Sequence, residues 1–286
     1  MEALINYFSD IPASHRTVIL LGGLTFFLLL ENAAPLFRLK YNKWKHLLIN
    51  MFFTATTIAV NFAMAFVLFA AAEFTSAEGI GLLHWLGLEG FWFLLVGLMG
   101  LDFTGAWLAH YLQHKNRLLW RLHLVHHSDQ EVDVTTANRH HPLESVFRFV
   151  FTVLGVVIMG APVWLVLVYQ SLSALLSQFN HSNIKMPAWL DNVLVWVVCT
   201  PNMHRVHHHY RQPYTDMNFG NIFSIWDRIF GTYVKVDNRQ LRYGLDTHMD
   251  DREANDIVTM LKLPFFKYRP PVEYEDEEKL VEKSEK

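Results

Sequence analysis

Apolar residues fall along this chain in long uncharged runs, separated by short connectors that carry the charge. The first run, Val18 to Leu30, approaches with its flanks the ~20 residues that cross a bilayer. The second, Leu47 to Ala72, is broken only by Asn50, Asn61 and threonines, and the third, Phe91 to Leu112, carries Asp102 and His110. Each reads as one membrane-crossing helix. A further stretch, Val146 to Phe179, is interrupted at Gly160-Ala161-Pro162. Two full crossings of ~30 Å need roughly 40 helical residues at 1.5 Å each, and this stretch falls short. It predicts a hairpin of two short or tilted helices, turning at the Gly-Ala-Pro and returning the chain to the side it left. Trp189 to Val198 is too short to span and is expected at the interface or packed on the site.

The connectors orient these spans. RLKYNKWKH carries Arg38, Lys40, Lys43 and Lys45 and no acid, whereas the connector at 73–89 carries Glu73, Glu78 and Glu89 without Lys or Arg. Positive charge favours the cytoplasmic side, so the third span delivers His110 and His114 to that side, ahead of Lys115, Arg117 and Arg121. The fold class expected is all-α: a multi-pass integral membrane bundle of about three spans plus a short helical hairpin, with a cytoplasmic histidine-rich helical cap. Its expected parts are N-terminal spans over 1–100, a di-metal catalytic domain over 101–235 that includes the hairpin 146–179, a C-terminal extension over 236–271, and an acidic tail over 272–286. The tail is charge-rich and aromatic-poor, which reads as disordered.

Composition supports the membrane. Hydrophobic residues make up 52% of the 286 and charged ones 18%, against about 25% charged in ordinary globular chains. A net charge of -3 gives no reason to expect nucleic acid, which usually needs a basic patch. The single Cys199 excludes an intrachain disulfide and any CxxC motif. The opening MEALINYFSD has no basic n-region, so a cleaved secretory signal is not expected.

The sixteen histidines change the picture from membrane protein to metalloprotein. His110 and His114 stand in HYLQH; His123, His126 and His127 in HLVHH; His181 alone in FNHSNIK; His204, His207 and His208 in HRVHHH. Residues three and four apart share a helix face, so each group points several imidazoles at one place. Nine exceed the four ligands that complete a zinc site, which implies two metals. Zinc, iron, copper and nickel all suit imidazole, and ligand softness leaves them open. His209 lies one step past its triplet and is expected off its face, at the surface or supporting a ligand. His15, His46, His84 and His248, each alone, read as structural. Asp102 precedes His110 by eight positions, an angular offset of ~80° on an α-helix. It is expected to hold a ligand's distal N–H, or else to bond a neighbouring helix.

Between Asp102 and Tyr233 the stretches HYLQH, LWRLHLVHHS, TTANRHHPLE, HSNIKMP, TPNMHRVHHH and NFGNIFSIWDRIFGTY follow in order. Together they resemble the membrane fatty acid hydroxylase/sterol desaturase superfamily. The resemblance implies a cytoplasm-facing centre of two non-haem Fe ions, held by His110, His114, His123, His126, His127, His181, His204, His207 and His208. His141 matches the HPLE histidine, as a ligand or a supporting residue, and His209 stands where the pattern often has serine. Such enzymes use O2 and electrons from an external donor to hydroxylate or desaturate an unactivated C–H bond of a membrane lipid, whether sterol, fatty acyl or related. No fused haem, flavin or iron-sulfur domain is visible, so a separate cytochrome b5-like or ferredoxin-like protein is expected, with Lys115–Arg121 as a candidate dock. The host membrane would be a bacterial inner membrane or the endoplasmic reticulum. Two other functions fit His-rich membrane helices. One is a metal transporter, whose sites generally lie near the bilayer midplane; the other is a zinc-dependent hydrolase, for which Glu144 or Asp102 would be the base.

Overall fold

Long apolar runs become long helices in the computed structural model, which describes residues 1–38 and 41–272. Lys40 and the tail from residue 273 onward lie outside the described residues. In chain order the helices are α1 (Glu2–Ser9), α2 (Ala13–Ala33), α3 (Lys43–Ala77), α4 (Leu82–Trp85), α5 (Gly90–Asp102), α6 (Ala109–Lys115), α7 (Arg117–His127), α8 (Pro142–Met159), α9 (Val163–His181), α10 (Ala188–Leu194) and α11 (Pro201–His207). Shorter turns follow to residue 265, and no strand occurs among the described residues.

Among the described residues four helical stretches are long and apolar enough to cross a membrane: Ala13–Ala33, Lys43–Trp85, Gly90–Lys115 and Pro142–Met159. The return arm α9 falls outside that set because Gln170, Ser171, Ser173, Ser177 and Gln178 dilute its apolar run. α3 packs along α8 and α2 along α9, while α5 contacts both arms of the hairpin. Leu101, Phe149, Val156, Met159 and Leu165 meet in the shared core. On the other side of α3, Phe62 and Phe66 are 84% and 81% exposed, a surface suited to lipid. Outside α10, Trp189, Val193 and Trp196 are exposed in the same way.

The hairpin turns where the sequence predicts it. Gly160 ends α8 in the left-handed region, at φ 69°. It also packs against the 79–81 turn, where a Cβ on Gly160 would collide with the Ile80 carbonyl. His84 donates from Nε2 to the Gly160 carbonyl at 3.0 Å, which is a structural role for that histidine. Gly160→Ala is expected to cost about 1–3 kcal/mol from backbone strain alone, read as a lower melting temperature in detergent. An unchanged melting temperature would mean that the turn is not held this way.

Gly90–Lys115 departs from a plain α-helix. Phe103–Leu108 winds as a π-helix, so roughly one extra residue is taken up just before His110. Eight residues then turn the chain about as far as seven α-helical ones, which is close to two full turns. Asp102 and His110 therefore come onto nearly the same face, instead of ~80° apart as α-helical geometry predicts.

The segment after α7 is locked by buried charge. His46 reaches Asp129 with Nε2 at 2.9 Å and Asp133 with Nδ1 at 3.3 Å. Arg139, fully buried, donates to the carbonyls of Val125 and Ala254, to Asn50 Oδ1 and to Ser128 Oγ. These bonds fix the C-terminal turn of α7, where His126 and His127 sit.

Candidate metal centre

The histidines gather into two adjoining groups at the end of the bundle where α6, α7, α9 and α11 meet. Ligating nitrogens of His110, His114, His123, His127 and His207 lie within 4.8 Å of one another, and so do those of His126, His181, His204 and His208. Each HxxHH triplet is thereby divided. Positions i and i+4 are about 40° apart on a helix, while i+3 lies about 100° from i+4. His123 and His127 accordingly face the first group and His126 the second, whereas in α11 His204 and the following His208 face the second and His207 the first. Spacing alone predicts each triplet converging on one point, and the structure instead makes both helices serve two. The hairpin's return is what adds His181, whose Nε2 is 3.2 Å from those of His126 and His204.

Outer hydrogen bonds aim the rings. His110 Nδ1 is 2.9 Å from the Phe219 carbonyl, His207 Nδ1 2.8 Å from that of Met217, and His181 Nδ1 2.8 Å from that of Ser177. A carbonyl only accepts, so each Nδ1 carries the proton and each Nε2 presents a lone pair inward. Carboxylates hold two more: Glu144 takes His123 Nδ1 at 2.7 Å and Asp216 takes His114 Nδ1 at 3.1 Å. Burial pushes the His123 imidazole down to about 4, and holds His126, His127, His204, His207 and His208 well below the usual histidine range. Repulsion among neighbouring rings adds to the shift in all six, and at His123 Glu144 opposes it. All six are neutral at pH 7, which is the form that binds metal. Burial favours the acid form of Asp216, but the bonds from His114 and Lys115 outweigh it and hold the carboxylate charged.

This donor set fits a cation. His110 Nε2 and His123 Nε2 face each other at 3.1 Å as two lone pairs. Nε2 of His114 and His207, and both ring nitrogens of His127 and His208, are buried without a hydrogen-bond partner. Each unpaired buried group costs about 1–3 kcal/mol, a cost that a shared positive ion removes. Aromatic rings close the outside: Phe219 lies 5.1 to 5.5 Å from His110, His114 and His207, and Trp120 lies 4.8 Å from His114 and 5.4 Å from His127.

Several expected residues take other roles. Asp102 holds no histidine but does bond a neighbouring helix: its carboxylate accepts from Nε1 of Trp226, in the short helix Ile225–Ile229, and from the N–H groups of Ile222 and Phe223. The π turn brings it to the face of His110, and both then grip the 219–226 loop. Asp102 is taken up by three donors, whereas Glu144 uses Oε1 for His123, 3.0 Å from His140 Nδ1, and keeps Oε2 buried without a partner. His141 turns away: it caps α8 by accepting from the Leu143 N–H, with Nε2 3.2 Å from the Leu261 carbonyl. His209 is buried instead of exposed, with Nδ1 accepting from the Arg242 N–H, outside both groups. Lys115, Arg117 and Arg121 are engaged by Asp216, the Tyr268 ring and the Phe266 carbonyl.

Sequence reasoning missed His140, whose ring lies 4.8 Å from His126 and which forms a third cluster with His123 and Glu144. The signal was the doublet in RHHPLE, with Glu144 four positions after His140. Asp227 was missed too: it accepts from Trp107 Nε1, the N–H groups of Phe219 and Gly220, and the Thr232 hydroxyl. It thereby holds the peptide whose carbonyl orients His110.

A cavity of about 450 Å3 reaches from α2 and α3 to the histidines, within the range of small-molecule sites. It shares Ala137, His140, Arg148, Ser177 and Asn221 with a narrow opening of about 20 Å3, which is bounded by His110, His123, His126, His181 and His204.

The fatty acid hydroxylase family model matches residues 94–232, a segment that contains the nine histidines of the two adjoining groups and His140. An ornithine lipid hydroxylase of Rhizobium tropici is 27% identical over 172 residues, which is 60% of this chain and 50% of that protein. An alkylglycerol monooxygenase of Xenopus tropicalis is 32% identical over 167 residues, 55% of this chain and 33% of that protein. The corresponding Homo sapiens protein is 28% identical over 159 residues, 55% of this chain and 34% of its own length. The chain thus spans half or less of the length of these relatives. No solved structure matches it.

Proposed function

Over residues 94–232 this chain belongs to the fatty acid hydroxylase family, and on that premise we propose that it is an O2-dependent membrane lipid hydroxylase with two iron ions. His110, His114, His123, His127 and His207 would hold one ion, and His126, His181, His204 and His208 the other. The observation that carries this reading is the set of inward Nε2 lone pairs, 3.1 to 3.2 Å apart, in two adjoining buried groups. Hydroxylation is favoured over desaturation by the relatives, which are a hydroxylase and monooxygenases by name.

Bound iron supplies the oxidising power to break an unactivated C–H bond, which no side chain provides. One oxygen atom enters that bond and the other leaves as water, using two electrons and two protons from an external donor. The chain's own residues do the rest. The carbonyls of Phe219, Met217 and Ser177 fix ring tautomers and directions, the arrangement that raises ligand basicity and holds geometry. Phe219 and Trp120 keep water from the first group. The cavity brings a lipid from the bilayer side to the opening beside the histidines.

The 34–42 connector lies at the histidine end, since the Phe37 N–H donates to Asn183 Oδ1 and the Tyr41 hydroxyl to Asp133. Its basic residues support a cytoplasmic position for that end, and therefore for the centre. Electrons then come from a cytoplasmic carrier of the cytochrome b5 or ferredoxin type.

The test is purified protein in nanodiscs, reconstituted with iron, a reductant and bacterial or microsomal lipids under isotopically labelled O2. About two iron ions per chain and a lipid product carrying one labelled oxygen are expected. Oxygen consumption at the protein-free background, with no labelled lipid, would overturn the reading.

A further inference from the structure

Arg148 is a cation within the apolar helix α8, and it lacks a counter-charge. Beyond the backbone bonds of α8, its one hydrogen bond among the described residues is accepted by its backbone carbonyl from the Thr152 hydroxyl; the guanidinium has no hydrogen bond, ion pair or ring contact there. A charge at membrane depth is costly, and where one persists it generally faces a partner or a functional cavity. Arg148 faces such a cavity. It lines both the 450 Å3 chamber and the narrow opening shared by His110, His123, His126, His181 and His204.

The chamber around it is not a plain acyl tunnel, because ligand cavities are otherwise lined mainly by apolar side chains. Thr57, Asn61, Thr152, Gln170, Ser173 and Ser177 put hydroxyls and amides on walls contributed by α3, α8 and α9. Apolar lining is supplied by Ile58, Phe62 and Phe69 of α3, of which Phe62 is open to the bilayer side. A lipid tail therefore has a largely apolar entrance, with Arg16 on its α2 wall, whereas the end next to the histidines offers hydrogen bonds and the unpaired charge of Arg148.

We propose that this chamber takes up the polar end of an anionic amphiphile, with a carboxylate or phosphate oxyanion on Arg148, so that the carbon oxidised lies beside the headgroup. A guanidinium presents a planar fork of donors that matches either oxyanion. The narrow opening beyond Arg148 admits only the atoms nearest that anchor to the histidine groups. The proposal rests on the lipid hydroxylase reading for what happens to the carbon, but the anchoring does not require turnover.

Binding is the test, measured on the full chain in nanodiscs of phosphatidylcholine. The probes are oleate, lysophosphatidate with an oleoyl chain, and neutral monoolein as the uncharged reference, all corrected for partitioning into protein-free discs. Wild type is expected to bind at least one of the two anions about tenfold or more tighter than monoolein, the scale of one charge-assisted pair. Preference for oleate alone or for lysophosphatidate alone identifies which oxyanion is used. Arg148→Gln is expected to lose the preference while keeping its affinity for monoolein, and Arg148→Lys to keep part of it. Equal wild-type affinity for all three probes overturns the proposal without any variant. So does an Arg148→Gln protein that retains the preference. Failure of the hydroxylase reading would show separately, as absent oxygen consumption with the binding preference intact.

Discussion

His207→Ala is expected to lower lipid oxidation at least ~100-fold and to release the ion placed with His110, His114, His123 and His127. The scale follows from outer residues that merely orient ligands, whose loss already costs about 10–100-fold in metal affinity or activity; removing a ligand nitrogen costs more. His207 is also the one member of the first group that comes from α11, so its loss opens that group on one side. The measurement is iron per chain by mass spectrometry beside product formation. His126→Ala should do the same to the second group. His141→Ala is the control: its ring caps α8, so about 0.5–2 kcal/mol of stability is expected to go, with the iron content unchanged. A His207→Ala protein with full iron and full turnover would defeat the two-group assignment.

Asp227→Ala carries the second large effect, on stability. The carboxylate is buried and accepts four hydrogen bonds, two from the backbone N–H groups of Phe219 and Gly220. The others come from Trp107 Nε1 at 3.0 Å and the Thr232 hydroxyl at 2.7 Å. Removing it leaves several buried donors without acceptors, at about 1–3 kcal/mol each. A loss on the order of 4 kcal/mol or more is expected, read as a fall in melting temperature in detergent. Because the Phe219 carbonyl orients His110, metal affinity should fall as well. Asp227→Asn keeps one acceptor oxygen and should lie between wild type and Ala. Unchanged melting and unchanged metal content would show that the 219–227 loop is held by something else.

Much of the framework was legible in the residues. Uncharged runs gave the spans, because burying a helix in lipid demands apolar side chains over a fixed length. The Gly160-Ala161-Pro162 interruption gave the hairpin, since only a glycine-type turn fits against the 79–81 loop. Histidine spacing gave eight of the clustered histidines, because three- and four-residue intervals place side chains on neighbouring parts of a helix face, and the hairpin's parity added His181. The choice between His140 and His141 was not legible. The two are adjacent, and which one faces the cluster depends on the angle at which α8 begins. There His141 serves as the N-cap, and His140, just outside the helix, is directed inward.

The sequence by itself determined that this is a multi-pass helical membrane protein with a shared centre of buried imidazoles. Periodicity and composition encode those features locally. The tertiary structure alone decided how the triplets divide, what Asp102 and Asp227 hold, and where Arg148 faces. Each of these depends on helix phase and on loops packed from distant parts of the chain. A π turn at Phe103–Leu108 or a loop at 217–227 resets which atoms meet, and neither leaves a periodic mark in the residues.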